Sequence, residues 1–433
     1  LLYPGIAFME GDAVVAETAY SPSGRGRISA FLNYYRVAFD QGFERSWQQW
    51  RFPSQRNYSP TYYALGYMAV GGLRTFYDIP TYMNNGFDLS ARRPYNLAAF
   101  HTTVKNMTGK AFKTTFKEIC DTLTVIWREE ADARAPYIPT EPVTKEPKLY
   151  TDYRSLVFVG NDLYTVKSGH LTTPEIVRID PALTEKRLSR VASAAGEMRP
   201  DAEGNLFWSE DRTASRWSLK TVSSIIRLEK GEVKGKKFGK NGIIYNPAPS
   251  PDGTRIAVVK YSPSGGSSID MMDTASEGIT ASVSAPDSLQ LVEMAWLDDT
   301  HIYASAISDN GYGIYRLSVD GNSWTTILAP QPVMIKDFRG YGKELIFTCD
   351  RTGVNELYHL DPLSGELTQK TATRHGAENF AYSPEGYYLY YTSQTLKGKQ
   401  VFRTRTEDLI NRPADLSDRH KYTIAEKLTA QEK

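Results

Sequence analysis

The side chains that could do chemistry in this sequence are few, and the usual catalytic motifs are missing. No H-E-x-x-H occurs, and the six histidines (101, 170, 301, 359, 375, 420) show no paired metal-ligand spacing. There is no G-x-S-x-G elbow, no phosphate-binding P-loop and no cysteine cluster. What remains is carboxylate and phenol chemistry near the N-terminus. Glu10 precedes Gly11 in the run Phe8-Met9-Glu10-Gly11-Asp12-Ala13-Val14-Val15-Ala16-Glu17-Thr18, and Glu17 follows seven residues later on the same helical face. Tyr63-Ala64-Leu65-Gly66 begins 53 residues after Glu10. A carboxylate offers an anionic oxygen, and a phenol is a donor that keeps its proton at neutral pH. Ser23-Gly24-Arg25-Gly26-Arg27 is a basic loop with the composition to meet an anion.

The elements that must position these residues fall into two groups. Residues 1–135 read as helical. Apolar periodicity predicts helices over residues 8–18, 28–39, 60–77, 94–109 and 112–127. Ser59-Pro60 is expected to open the third of these, with serine capping and proline at the first helical position. Four prolines at 136, 139, 142 and 147 make residues 136–147 an extended linker. From there the period is two. A hairpin unit recurs at about 40–50 residues, the period of propeller blades. Its sharpest copies carry Ser250-Pro251-Asp252-Gly253 and Ser383-Pro384-Glu385-Gly386. Six copies between residues 150 and 409 predict a six-bladed all-β propeller over 148–410, followed by a tail at 411–433. The last copy shows three strands, so residues 148–153 are expected to supply the fourth and close the ring.

Composition narrows the function classes. Lysine plus arginine number 51 against 50 acidic residues, so no basic face for nucleic acid is implied. No run of about 18 apolar residues is present, so no transmembrane helix is expected. Residues 1–140 hold 25 of the 52 aromatics, a composition shift that separates two domains. Cys120 and Cys349 fall in different domains and are expected as buried free thiols.

The repeat, with its Ser-Pro-Asp-Gly turn and the later aromatic-rich strand, resembles the TolB-like propeller over about 260 residues. The helical region resembles the second half of a gluzincin zinc metallopeptidase domain. The segment around Glu10-Gly11 is similar to that family's second metal-binding helix, and the Tyr63–Gly66 segment to a later helix of aminopeptidase-type members. The resemblance implies Glu10 as the third zinc ligand, Tyr63 as the oxyanion-stabilising donor and Glu17 as a group behind the ligand. It also implies that glycine at 11 lets helices approach closely. Leu65 departs from the family, which has a lysine or similar residue there. The H-E-x-x-H helix, with two ligands and the general base, is not in these residues.

Two functions remain open. The first is a fragment of a secreted or periplasmic bacterial zinc metallopeptidase. Its H-E-x-x-H would lie upstream of Leu1, its zinc would belong to the intact parent, and its propeller would bind a protein or peptide substrate. The fragment alone is then expected to hold no zinc and to be inactive. The second is a non-catalytic cell-envelope binding or scaffold protein whose propeller docks a protein or glycan. Both place the chain outside the cytoplasm.

Overall fold

The computed structural model describes residues 5–192, 196–213, 221–286 and 289–432. Seven helices come first: α1 (Ile6–Tyr20), α2 (Ser29–Asp40), α3 (Trp47–Arg51), α4 (Tyr62–Phe76), α5 (Tyr82–Arg92), α6 (Ala99–Thr108) and α7 (Phe112–Asp132). An eighth, α8 (Thr423–Gln431), returns from the C-terminus.

Helix α4 is the hub. Every residue from Ala64 to Leu73 is buried, so this helix is enclosed on all sides. It accommodates its neighbours by having no side chain where they cross. A Cβ at Gly66 would lie 1.8 Å from the Ala7 carbonyl oxygen of α1, and one at Gly11 would lie 2.2 Å from the Gly66 carbonyl carbon. Gly72 receives Ile119 of α7, and Gly71 faces Ile424 of α8. Around this hub lies an aromatic core. Phe8 stacks on Trp47 with ring centres 5.0 Å apart and meets Phe112 edge-on at 5.4 Å.

The start of α4 corrects one expectation. The helix begins at Tyr62 after Thr61, and no side chain caps it. Ser59 instead accepts from the Arg45 guanidinium at 3.3 Å. Helices α3, α5 and α8 were not expected. The second, Tyr-Met-Asn-Asn-Gly-Phe, has weak intrinsic propensity and is held by burying Tyr82 and Met83.

Residues 151–405 form six antiparallel sheets arranged as blades. Blades 1 to 4 span residues 151–190, 199–242, 244–284 and 290–331. Blade 5 covers 335–369 and blade 6 covers 378–405. The first strand of each blade is innermost, and successive first strands touch around the axis. The two sharpest copies of the repeat turn hold glycine at positive φ, Gly253 at 72° and Gly386 at 75°.

The strand that closes the ring is not residues 148–153. Thr151–Val159 is the innermost strand of blade 1. Closure comes from Glu141–Pro142 in the proline-rich stretch, which pairs antiparallel with Phe402 and Arg403 on the outer edge of blade 6. Arg403 Nε meets Glu141 at 2.9 Å, and the Val143 amide donates to the Val401 carbonyl at 2.9 Å. Proline is tolerated there because an outermost strand needs donors on one side only. Residues 411–433 are also engaged. Arg412–Pro413 adds a fifth strand to blade 5, and α8 packs Ile424, Ala425 and Leu428 against α1 and α4.

The helical region sits on one face of the propeller, over blades 5, 6 and 1. The Arg374 guanidinium grips Asp40 through two 2.7 Å hydrogen bonds and reaches Asp132 at 2.9 Å. Asn33 donates to the His375 carbonyl at 3.0 Å, and Tyr58 stacks on Tyr150 at 3.5 Å.

A methyl group at the α1–α4 crossing has no space. Gly66→Ala is expected to lower the unfolding free energy by about 3 kcal/mol, the upper end of the overpacking range. Chemical denaturation checks this, and a loss below about 0.5 kcal/mol would contradict the crossing as described.

Candidate functional site

The crossing of α1 and α4 determines where Glu10 and Tyr63 lie. Glu10 immediately precedes Gly11, and Tyr63 is three residues before Gly66, so the two side chains emerge from one seam. Partial burial, the Glu10 charge, Tyr62 and a hydrogen bond with Glu10 together raise the Tyr63 pKa, so its phenol keeps its proton. Tyr62 stacks on Tyr63 with ring centres 4.9 Å apart. The Arg25 guanidinium covers the Tyr63 ring at 4.8 Å.

Glu17 is bound to that same arginine. Arg25 Nε and Nη2 donate to its two oxygens at 2.7 and 2.9 Å, and the Arg25 amide adds a third bond at 2.8 Å. These hydrogen bonds hold the Glu17 carboxyl below the usual carboxylate range. The basic loop is therefore spoken for at both arginines, since Arg27 is buried against α8 and bonds Glu426 at 2.9 Å. The structure brings Glu10, Tyr63, Glu17 and Arg25 into one cluster.

These residues do not by themselves fit a zinc ion. A zinc site takes three protein ligands or more, and of the two carboxylates in this cluster Glu17 is already held by Arg25. No group of three metal-ligating side chains occurs among the described residues. His101 lies elsewhere, stacked on Phe112 at 4.7 Å.

The outer face of α1 is uncovered. Ile6, Met9 and Tyr20 are 37%, 43% and 72% exposed, and Ala13 is exposed too. Their spacing of three, four and seven places them in one stripe beside Glu10. The opposite face buries Ala7, Phe8, Val14, Val15 and Ala19. The packed face of α1 is thus apolar, and the open face mixes apolar side chains with Glu10 and Glu17.

A second polar cluster, not identified from the sequence, lies on the propeller axis. The six inner strands and the residues leading into them contribute Ser155, Glu197, Asn246, Glu293, Asp337 and Asn379, four to six residues before the following turn region. Four of these have positive φ, between 52° and 59°. Most sit at β-bulges, which turn side chains toward the axis. Their bonds pass from blade to blade. The Ser155 amide donates to Asn379 Oδ1 at 2.7 Å, the Asn379 amide to Asp337 Oδ2 at 2.9 Å, and the Phe338 amide to Glu293.

Two residues further along each strand, Arg199 and Arg339 reach over the channel from opposite blades. Arg199 Nη2 donates to the Phe338 carbonyl at 3.1 Å, and Arg339 Nη1 to the Leu156 carbonyl at 2.7 Å. Arg339 Nη2 is 3.7 Å from Glu197. Burial, with Arg199 beside it, brings the Arg339 pKa down to about 10, so it stays charged at neutral pH. Burial pushes Glu293 up to about 7 against the pull of Arg199, and raises Asp337 as well, helped by Glu197. No helix among the described residues is long and apolar enough to cross a membrane.

No family model and no curated protein matches this sequence. Solved structures resemble its propeller. The β-propeller domain of the Trilobed protease from Pyrococcus furiosus aligns with 62% of this chain and 99% of its own, at 14% identity and a TM-score of 0.41. Pyrococcus horikoshii acylaminoacyl peptidase aligns at 12% identity and TM-score 0.41, over 62% of this chain and 52% of its own, so the match spans about half of that enzyme. TolB from Acinetobacter baumannii aligns at 13% identity and TM-score 0.38, over 65% of this chain and 66% of its own. At these identities the likeness concerns the propeller fold alone.

The axial cluster makes stability depend on pH. Glu293 holds its proton in the folded chain up to about pH 7 and in the unfolded chain only to about 4.5. Its contribution is therefore full below pH 4.5 and falls as pH rises to 7. Histidines such as His375, drawn down to about 4 by burial, act in the opposite direction between pH 4 and 6.5, so the test is a difference. Glu293→Gln is expected to match the parent's melting temperature at pH 5 and exceed it by several degrees at pH 8. An equal offset at both pH values would refute the assignment.

Proposed function

We propose that this chain belongs to a secreted or periplasmic bacterial zinc metallopeptidase. In this reading Glu10 is the third metal ligand, Tyr63 donates to the oxyanion, and the propeller binds the protein or peptide substrate. The observation that carries this is the uncovered stripe of α1. Exposed Ile6, Met9 and Ala13 flank Glu10 on the open face, with the Tyr63 phenol beside it, a mixture suited to a further packed element. A helix from outside these 433 residues, bearing two histidines and a general base, would cover Ile6, Met9 and Ala13. It would also supply the two further metal ligands that a zinc site needs beside Glu10.

A second reading has a different support. The propeller's face opposite the helical region is an open funnel, which suits a non-catalytic envelope protein that docks a protein or glycan.

The coding sequence upstream of Leu1 and the longer protein it encodes separate the two. The peptidase reading expects H-E-x-x-H there and one zinc per chain by metal analysis. It expects zinc to be lost in Glu10→Ala and retained in Tyr63→Phe, with the Tyr63→Phe rate lower by about 100-fold. The 433 residues alone should not hydrolyse peptides. No such motif upstream, or zinc unaffected by Glu10→Ala, ends the peptidase reading and leaves the binding one.

A further inference from the structure

The propeller's outer face holds a cavity of about 430 Å³ centred on the axis, with walls from all six blades. Helical-region contacts at Asn355, His375 and Leu396 lie at the other end of the inner strands, so this mouth is not covered by α1 to α8. Its floor is the second residue ring: Val157, Arg199, Ala248, Ala295, Arg339 and Ala381. Four of the six are small or short, which leaves space above the two guanidinium groups. The walls are Phe158, Met294, Trp296, Tyr341, Phe380 and Tyr382. These walls are fixed. Trp296 donates to the Ala248 carbonyl at 2.9 Å, Tyr341 stacks on Tyr382 at 4.1 Å, and the Tyr382 hydroxyl meets His359 at 2.9 Å.

Arg339 lines the funnel with its side chain 13% exposed. Its Nε, a buried atom, makes no hydrogen bond among the described residues, and Nη2 has only the long contact to Glu197 at 3.7 Å. A guanidinium whose hydrogen bonds are not all made, at the base of an apolar funnel, fits a planar anion. The charge balance selects which anion. Below the two arginines stand Glu197, Glu293 and Asp337, the last two with their pKa raised by burial, so little net positive charge is left and a dianion such as phosphate is poorly served. A monoanion carried on an apolar body is matched by both floor and walls.

We propose that this funnel binds the C-terminal carboxylate of a peptide whose last side chain is apolar, the carboxylate on Arg199 and Arg339 and the side chain between Trp296, Tyr341 and Phe380. The cavity volume lies within the range of small-ligand pockets and accommodates a terminal residue or two. The rest of the peptide leaves through the open mouth. This deepens the binding role given to the propeller above. Its test reads binding and not hydrolysis, so its failure leaves the Glu10 reading standing.

The experiment is calorimetric titration of the 433-residue chain with three probes: acetyl-Ala-Ala-Leu as the free acid, the same peptide as its C-terminal amide, and acetyl-leucine. The expected result is that the free acid binds at least tenfold tighter than the amide and tighter than acetyl-leucine. Arg339→Gln, with an unchanged melting temperature, is expected to abolish the preference for the acid. Arg199→Gln serves if that variant does not fold, and the acid-to-amide comparison on the unaltered chain decides even without either. Equal binding of acid and amide, or no binding at millimolar concentration, overturns the site. Acetyl-leucine binding as tightly as the peptide overturns the assignment to a peptide end.

Discussion

The backbone contact between Gly11 and Gly66 is the constraint on which the helical region turns. Two helices that meet through side chains stand 8–10 Å apart. These two meet with no side chain between them, and a Cβ on either would fall inside the other's backbone. Glycine within a helix costs about 1 kcal/mol relative to alanine, and α4 carries three of them, at 66, 71 and 72. The return is that α1, α8 and α7 all pack against one helix. The contact also puts Glu10 and Tyr63 within reach of each other, because each lies within one turn of its crossing glycine. Helices held farther apart would separate the carboxylate from the phenol.

The same economy joins the two halves of the molecule. A ring of sheets leaves exposed edges unless its ends are sealed, and the seal here is two residues, Glu141–Pro142, in the chain just after α7. Because the closing strand follows the last helix so closely, α7 has little freedom to leave blade 6. Arg374 fixes the relation by holding Asp40 at the end of α2 and Asp132 at the end of α7. The C-terminus acts similarly from the other direction, passing from blade 5 to α8. Helical region and propeller therefore share both chain crossings.

The repeat was legible in the sequence because each blade spells its own turn. Ser250 and Asp252 bond to the residues around Gly253, a local arrangement that needs no knowledge of the rest of the ring. The closing strand was not legible, since its partner lies 262 residues away at Arg403 and proline-rich stretches read as linkers. The long amphipathic helices were read to within a few residues. Helix α5 was missed because tertiary burial of Tyr82, and not its sequence preference, makes it a helix. Helix spacing put Glu10 and Glu17 on one face, whereas the approach of Tyr63 depends on the α1–α4 crossing and the pairing of Glu17 with Arg25 on the turn between α1 and α2. The axial ring was hidden for a further reason. Its six residues are of different types, so the repeat does not announce them. The available signal was positional: an acid, amide or hydroxyl four to six residues ahead of each turn.

That ring also governs what the propeller can do. Buried carboxylates are costly unless paired, and Glu197, Glu293 and Asp337 are tolerated here because Arg199 and Arg339 stand over them. The dependence is mutual. Without the acids beneath, two guanidinium groups in this confined space would repel each other, as the lowering of Arg339 by Arg199 indicates. Both arginines reach from opposite blades to carbonyls across the channel, so the axis is bridged. A ligand in the outer funnel then has no path along the axis to the helical face. In the peptidase reading proposed above, a chain held in the funnel would reach the Glu10–Tyr63 seam only around the rim of the ring.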